Sequence, residues 1–248
     1  MRRIVLPSIA FVLLVVVWEA AVVGLHVQQI VLPSPAGVVR TMVDTAGPIA
    51  FHARATLVTT LVGFGAAVVL GLGLGFLIGA FPTVHDALYP LLVGFNSIPK
   101  AAMVPLLVMW FGIGAVPAVL TAFLLAFFPI AVNVAVGLAT LEGELRDVLR
   151  VLGASRWQIF KKVGVPRTMP LFFASLKVAI SSAFVGSVIS ETVASNAGIG
   201  YLMAVAASDF NTRLAFGGLF VLAAMGMVLY GVFAVIERRM TGWAYADS

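Results

Sequence analysis

The sequence predicts an all-α, polytopic membrane protein with six transmembrane helices. Of its 248 residues, 62% are hydrophobic and only 10% are charged, whereas soluble domains are about 45–50% apolar and about 25% charged. The apolar residues gather in stretches of about 20, the length that a helix needs to cross the hydrocarbon core of a bilayer. The six predicted spans are residues 5–25, 55–81, 87–112, 116–139, 169–191 and 214–236. We expect them to form a single transmembrane domain over residues 1–248.

The distribution of basic residues predicts the orientation, because Lys and Arg concentrate in the cytoplasmic loops of membrane proteins. One side of the predicted membrane has only Arg40, Arg54 and Arg213. The other side has Arg2, Arg3, Arg146, Arg150, Arg156, Lys161, Lys162, Arg167, Arg238 and Arg239. We therefore expect both termini in the cytoplasm. The net charge of +5 reflects this asymmetry and does not indicate nucleic-acid binding.

The first span follows Arg2 and Arg3, as the apolar region of a signal peptide would. The apolar run is long, however, and no convincing small-x-small cleavage site follows it, so we expect a retained helix. Residues 26–54 then form an extracytoplasmic segment. Its Pro33 and Pro35 favour an extended chain that leads into a short amphipathic helix.

Glycines mark the second span. Gly71, Gly75 and Gly79 recur every four residues, and Gly63, Gly65 and Gly73 lie nearby. Such a stripe lets another helix approach closely in lipid, where van der Waals packing drives helix association. We favour tight packing within the bundle over a dimerisation face.

The third span contains Asn96, Pro99, Lys100 and Pro105 within an otherwise apolar stretch. Each proline removes an N–H and frees a carbonyl one turn earlier, so the helix should kink or break near the middle of the membrane. Broken helices at that depth are tolerated only where they are buried in protein or line a wet cavity. This favours a translocation pathway, although Lys100 could equally snorkel or pair with a carboxylate.

Glu191, near the end of the fifth span, is a second intramembrane charge. An ionisable group in a span indicates a functional site, since its burial is costly without a partner. The alternative is a hydrogen bond at a helix end or between helices, which we weigh equally.

The amino-acid inventory argues against several chemistries. There is no cysteine, which excludes disulfides, thiol catalysis and Cys-based metal centres. The three histidines, His26, His52 and His85, are not spaced as a metal site. No Gly-x-x-x-x-Gly-Lys-[Ser/Thr] motif occurs, so nucleotide binding through a P-loop is not expected. We expect no enzyme activity and no bound cofactor.

The only sizeable hydrophilic loop, about 141–166, predicts two short amphipathic helices that meet at a turn. Gly153 ends the first helix and Ser155 can cap the second. The loop either lies on lipid headgroups or docks its apolar face, with Trp157 and Phe160, into another protein.

At this loop the sequence resembles the permease subunits of bacterial ABC importers. Their signature is Glu-Ala-Ala, three residues, Gly, nine residues, Ile, one residue and Leu-Pro. The corresponding residues here are Asp147, Val148, Leu149, Gly153, Val163, Val165 and Pro166. The spacing matches throughout, and the departures are Asp for Glu, Val-Leu for Ala-Ala, and Val in place of both Ile and Leu.

Further motifs resemble the sulfonate, taurine and nitrate branch, which includes permeases for pyrimidine precursors of thiamine. These motifs are Leu32-Pro33-Ser34-Pro35, Ile98-Pro99-Lys100, Pro105-Leu106, Trp110-Phe111-Gly112, and Glu191 with Gly198-Ile199-Gly200. The resemblance implies a type I-like permease fold, here in the bacterial inner membrane.

It also implies a homodimer, an extracytoplasmic solute-binding protein, and a cytoplasmic ATPase dimer that uses ATP and Mg²⁺. The ATPase-coupling residues would be Asp147, Val148, Leu149, Gly153, Ala154, Ser155, Trp157, Phe160 and Pro166, and the pathway residues Asn96, Pro99, Lys100 and Glu191. A secondary, ion-coupled transporter is the alternative, and would show paired broken helices in two similar halves. An intramembrane hydrolase ranks last, since the inner helices contain no histidine.

Overall fold

The computed structural model describes residues 2–139, 151–153, 155, 158 and 160–242. Its helices are α1 (Arg2–Gly24), α2 (Pro35–Asp44), α3 (Ala46–Ala80), α4 (Pro82–Asn96), α5 (Val104–Phe111), α6 (Ala115–Ala139), α7 (Val165–Ala194), α8 (Ile199–Ser208) and α9 (Thr212–Thr241). A 3-10 turn, Lys100–Met103, lies between α4 and α5, and a π-helical turn, Phe160–Gly164, leads into α7. These residues contain no strand, so the predicted all-α class is confirmed.

Four helical segments are long and apolar enough to cross a membrane: α3, α6, α7 continued by α8, and α9. The bent pair α4–α5 is a fifth candidate. In α1, the part that passes as apolar helix, Val12–Gly24, is shorter than a full crossing. The number of spans therefore reaches five in the described chain, and the sixth stays a prediction.

The glycine stripe of α3 packs against α6. A Cβ at Gly71 would lie 3.0 Å from the side chain of Ile130, and one at Gly79 would lie 2.7 Å from that of Leu138. Both pairs have the same sequence offset, so α3 and α6 run parallel. Because two consecutive spans that run the same way need a return crossing between them, α4 and α5 together must carry the chain back across the membrane.

Gly65 and Gly73 lie on the other side of α3, and a Cβ at either would meet nothing within 4 Å. The glycines that touch a neighbour therefore belong to the stripe facing α6. Packing within the bundle, which the spacing favoured, is confirmed for that stripe.

Helix α7 packs antiparallel on α6, because Gly186 lies against Thr121 while Gly137 lies against Thr168. Between α3, α6 and α7 is the main apolar core, with fully buried Ala126, Ile130, Ala179, Ile180 and Ala183. Three of these five residues are alanines, which permit the close backbone approach typical of helix association in membranes.

The last helix, α9, covers α7. Lys177 on α7 forms an ion pair with Glu237 on α9, and Phe233 packs edge-on against Phe64 of α3 with ring centroids 4.9 Å apart. The side chains of Lys177 and Glu237 are only 22% and 11% exposed. A charge pair thus satisfies two ionisable groups that the bilayer would otherwise penalise.

Helices α2 and α8 lie at one end of the bundle, which we name the outer end after the predicted orientation. The N–H of Gly37 donates to the Ser34 hydroxyl at 3.1 Å, so Ser34 caps α2, the short helix expected after the extended Pro33–Pro35 segment. The Glu19 carboxylate of α1 accepts the Ala36 N–H at 3.2 Å, which ties α1 to the start of α2.

Candidate translocation site and coupling loop

The third predicted span is broken. Helix α4 ends at Asn96, and α4 and the segment from Lys100 to Phe111 meet at 79°. Pro99 lies within the break, whereas Pro105 lies in the first turn of α5, a position where proline removes no intrahelical bond. The predicted break is confirmed and is located at Pro99.

Lys100 closes this break. Its Nζ donates to the side-chain oxygen of Asn96 at 2.5 Å and to the backbone oxygen of the same residue. The carbonyls in the last turn of a helix lack partners, and the helix dipole there favours a positive charge. Lys100 therefore caps the end of α4 with its charge, an arrangement different from the snorkelling or carboxylate pairing considered from the sequence.

The Glu191 carboxylate is the centre of a polar cluster within the bundle. Its Oε2 accepts the Thr56 hydroxyl at 2.8 Å and the Gly200 N–H at 3.1 Å. Its Oε1 lies 3.3 Å from the hydroxyls of both Thr59 and Ser187. Only 2% of Glu191 is exposed, so the side chain faces protein and not lipid.

Three hydroxyls share the hydrogen bonds of this cluster. Thr59 and Ser187 lie 2.5 Å from each other, so one donates to the other and only the second retains a proton for Oε1 of Glu191. The hydroxyl of Thr56 donates to Oε2 and accepts the N–H of Ile199 at 2.8 Å. The carboxylate therefore accepts two donors on Oε2 and at most one on Oε1, since the Thr59 hydroxyl also lies 3.0 Å from the backbone oxygen of Thr56.

Two glycines make room for Glu191. Gly198 has φ = +111°, and a Cβ there would lie 2.2 Å from Cδ of Glu191. A Cβ at Gly200 would lie 2.8 Å from the Cβ of Glu191. Gly198 N–H also donates to Nδ1 of His52 at 3.1 Å, so that nitrogen carries no proton. The Gly198-Ile199-Gly200 motif thus leaves space for the Glu191 side chain and donates the Gly200 N–H to its carboxylate.

A cavity of about 270 Å³ opens beside this cluster at the outer end. The end of α7 contributes Thr192 and Ser195 to its wall, and α8 contributes Tyr201 and Ser208. Glu191 itself is among the residues that line the cavity, together with these hydroxyl groups and the Tyr201 ring, and neither Lys nor Arg is among the described lining residues.

The structure places the four predicted pathway residues in two separate places. Asn96, Pro99 and Lys100 form the break between α4 and α5, and Glu191 lies in the cluster with α3 and α8. The hydrogen-bond partners of Lys100 and those of Glu191 have no residue in common. The sequence interpretation of Glu191 as an inter-helix hydrogen-bonding group accounts for its contacts.

Sequence reasoning missed the partners of Glu191, and it did not predict α8. The spacing held a usable signal, since Ser187 lies four residues before Glu191, and Thr56 and Thr59 are three residues apart. Such spacings place side chains on one helix face. What no spacing shows is that the two faces meet.

The hydrophilic loop is described only in part. Gly153 has φ = +84°, as expected for a glycine that ends a helix. The Ser155 hydroxyl accepts the Gln158 N–H at 3.2 Å, and the Ser155 N–H donates to the Gln158 side chain at 2.8 Å, which is the reciprocal capping arrangement. Phe160 begins the π-helical turn and Pro166 lies in the first turn of α7. Asp147, Val148, Leu149, Ala154 and Trp157 lie outside the described residues.

Metal ligation finds no support in the ranges described: they contain no group of three or more His, Asp or Glu residues arranged to hold an ion. The hydrogen bonds of the Glu191 carboxylate come instead from hydroxyl and backbone N–H groups.

In the described residues, apolar helices with one broken candidate span and a buried, hydrogen-bonded glutamate are features typical of a polytopic α-helical transport protein. The chain belongs to the family of binding-protein-dependent transport system inner membrane components, whose pattern matches residues 67–242. It is therefore a permease of the ABC importers, as the loop signature indicated.

Two relatives indicate the branch. The formylaminopyrimidine transport permease of Halalkalibacterium halodurans is 32% identical over 96% of this chain and 95% of its own length. The taurine transport system permease of Escherichia coli is 29% identical over 80% of this chain and 74% of its own. These relatives match the taurine and thiamine-precursor branch that the motifs resembled.

The fold has a solved counterpart in a chain of the inward-facing MetNI methionine ABC transporter. The two superpose with a TM-score of 0.64 and 21% sequence identity, over 77% of this chain and 94% of the other. This similarity confirms the type I-like permease fold.

Proposed function

We propose that the chain is the permease subunit of an ATP-driven importer and forms the translocation path for a small solute. The observation that carries this proposal is the family match over residues 67–242, a range that contains the break at Pro99, Glu191 and the hydrophilic loop. The subunit pairs with a second copy in the bacterial inner membrane, with both termini cytoplasmic. It receives solute from an extracytoplasmic binding protein and binds no cofactor itself, while a cytoplasmic ATPase dimer hydrolyses ATP with Mg²⁺.

The secondary-transporter alternative has less support. Inverted repeats would place broken helices in corresponding positions of both halves. The described residues contain one helix pair bent by more than 40° at a short break. A single break of this kind agrees better with a permease whose energy comes from a separate subunit.

The coupling role of the loop rests on exposed apolar surface beside a turn that only glycine adopts without strain. Val151 is 88% exposed and Leu152 is 76% exposed, directly before Gly153 with its positive φ. Large apolar side chains presented next to a polar loop are typical of a docking surface. We propose that this surface, with the other predicted coupling residues, contacts the ATPase.

For the solute, we propose a neutral, planar heterocycle of the pyrimidine type over an organic anion such as a sulfonate, taurine or nitrate. Lys177 pairs with Glu237, and Lys100 caps α4 through Asn96. Both intramembrane lysines therefore already have partners within the protein. The outer cavity offers Tyr201 for stacking and hydroxyls for hydrogen bonds. The relative that matches nearly the whole chain carries a formylaminopyrimidine, in agreement with this choice.

The test is reconstitution of the permease with the ATPase and binding protein encoded beside it, in liposomes that contain ATP and Mg²⁺. We expect uptake of labelled formylaminopyrimidine that requires both ATP and the binding protein, and no uptake of labelled taurine. Uptake of taurine alone would contradict the choice of solute. Uptake that needs an ion gradient and no ATP would contradict the importer itself.

A further inference from the structure

We propose that Glu191 is a positioning residue: it caps α8 from outside that helix and joins the outer ends of α3, α7 and α8 into one rigid unit. In this role its carboxylate sets the shape of the outer cavity by holding α8, and its hydrogen bonds stay within the protein. The proposal deepens the proposed function and rests on it.

Helix α8 begins without a side-chain cap of its own. A helix leaves its first N–H groups without intrahelical partners, and a side chain at the N-cap position usually accepts one of them. The N-cap of α8 is Gly198, which has no side chain. Helix α8 therefore has no cap of its own at that position.

The missing cap is supplied by other helices. The N–H of Gly198 donates to His52, that of Ile199 to Thr56, and that of Gly200 to Glu191. Three successive N–H groups thus find acceptors on α3 and α7. The carboxylate is the acceptor best suited to a helix N-terminus, because its charge also interacts favourably with the helix dipole.

The oxygens of the Glu191 carboxylate already have partners within the protein. The oxygens of Glu191 are engaged by donors of α3, α7 and α8 and the residue is only 2% exposed, while Glu191 is also one of the residues that line the cavity. The fit is also tight, since Gly198 and Gly200 would collide with Glu191 if either carried a Cβ. A group enclosed in this way fixes its neighbours and does not exchange partners with solute.

The cap lies next to the outer cavity. Thr192 and Ser195 line one wall just after Glu191, and Tyr201 and Ser208 line the other from α8. Glu191 also lines the cavity, and both walls adjoin the turn that it holds, so a shift of α8 would change the width of the cavity. Loss of the cap should therefore weaken solute capture more than it slows turnover.

Two substitutions separate positioning from a role of the negative charge. Glu191→Gln keeps an oxygen for the Thr56 and Gly200 donors, and its amide N–H can donate to the Thr59–Ser187 pair. Glu191→Ala removes every acceptor. In the reconstituted complex we expect KM for labelled solute to rise about fivefold to tenfold in E191A, the effect of losing one helix cap, with a smaller change in maximal rate. E191Q should restore KM to near the native value. Equal failure of E191Q and E191A would overturn the proposal, as would normal KM in E191A.

A cross-link tests the rigid unit without altering the polar side chains that bond to Glu191. The chain has no native cysteine, and Ile49 of α3 and Leu202 of α8 belong to one buried apolar cluster. We expect Ile49→Cys/Leu202→Cys to form a cross-link with a short, cleavable bifunctional thiol reagent and to import equally before and after cleavage. Uptake that stops on cross-linking and returns on cleavage would overturn the proposal.

The unmodified complex is measured first, so the two proposals can fail separately. If it imports nothing with ATP, the proposed function fails, and the cap is then judged by thermal unfolding of the purified subunit. A lower melting temperature in E191A that E191Q restores would still support the cap. Equal melting of the native, E191A and E191Q proteins would overturn it.

Discussion

Replacement of Gly75 by alanine should destabilise the bundle, whereas the same change at Gly73 should not. A Cβ at Gly75 would lie 2.6 Å from the backbone oxygen of Ala131 and 2.8 Å from the Cβ of Val134, while one at Gly73 would meet nothing within 4 Å. The two glycines lie two residues apart in one helix, so the gain in helix propensity from Gly→Ala, about 0.5–1 kcal/mol, is common to both. The difference between the variants is then the overpacking cost, about 1–3 kcal/mol.

Thermal unfolding of the purified subunit in mild detergent measures this difference. For a chain of this size, about 2–4 °C in melting temperature corresponds to 1 kcal/mol, so G75A should melt several degrees below G73A. Equal melting temperatures would refute the packing of the α3 stripe on α6. Loss of stability in G73A alone would show instead that the opposite face of α3 carries the important contact.

Three further predictions concern the ion pair, the loop and the orientation. Lys177→Met should cost about 3–5 kcal/mol of stability by leaving Glu237 unpaired in a buried place, and Glu237→Leu in the same chain should recover most of that loss; a K177M chain that unfolds like the native one would contradict the pair. Gly153→Val should insert normally but lose the ATPase on co-purification and lose uptake, because a β-branched residue is strained at φ = +84°; full retention of both would contradict the coupling role. A cysteine at Ser155 should react with membrane-impermeant reagents only in inside-out vesicles, and labelling from outside intact cells would reverse the predicted orientation.

Several features were predictable because they depend on local chemistry. The break at Pro99 follows from the missing N–H of proline, the cap of α2 from Ser34 before Pro35, and the positive φ of Gly153 from its place at the end of a helix. The glycine stripe of α3 predicted a close helix neighbour, because only small side chains permit that approach. In each case the cause lies within a few residues of the effect.

Other features depend on residues far apart in the chain. The spacing of glycines does not identify α6 as the neighbour of α3, nor that the two helices run parallel. Helix α8 escaped prediction because its acceptors are His52, Thr56 and Glu191, two of which lie more than a hundred positions away.

The sequence by itself determined that this chain forms apolar helices in a bilayer. It also determined the position at which one of these helices breaks and the family of transport subunits to which the chain belongs. Composition and periodicity act through the cost of placing each residue in lipid, which needs no knowledge of neighbours. The tertiary structure alone decided what the buried charges do. Inside the bundle a carboxylate is stable only among donors, and those donors for Glu191 come from α3, α7 and the start of α8, which meet only when the helices are packed.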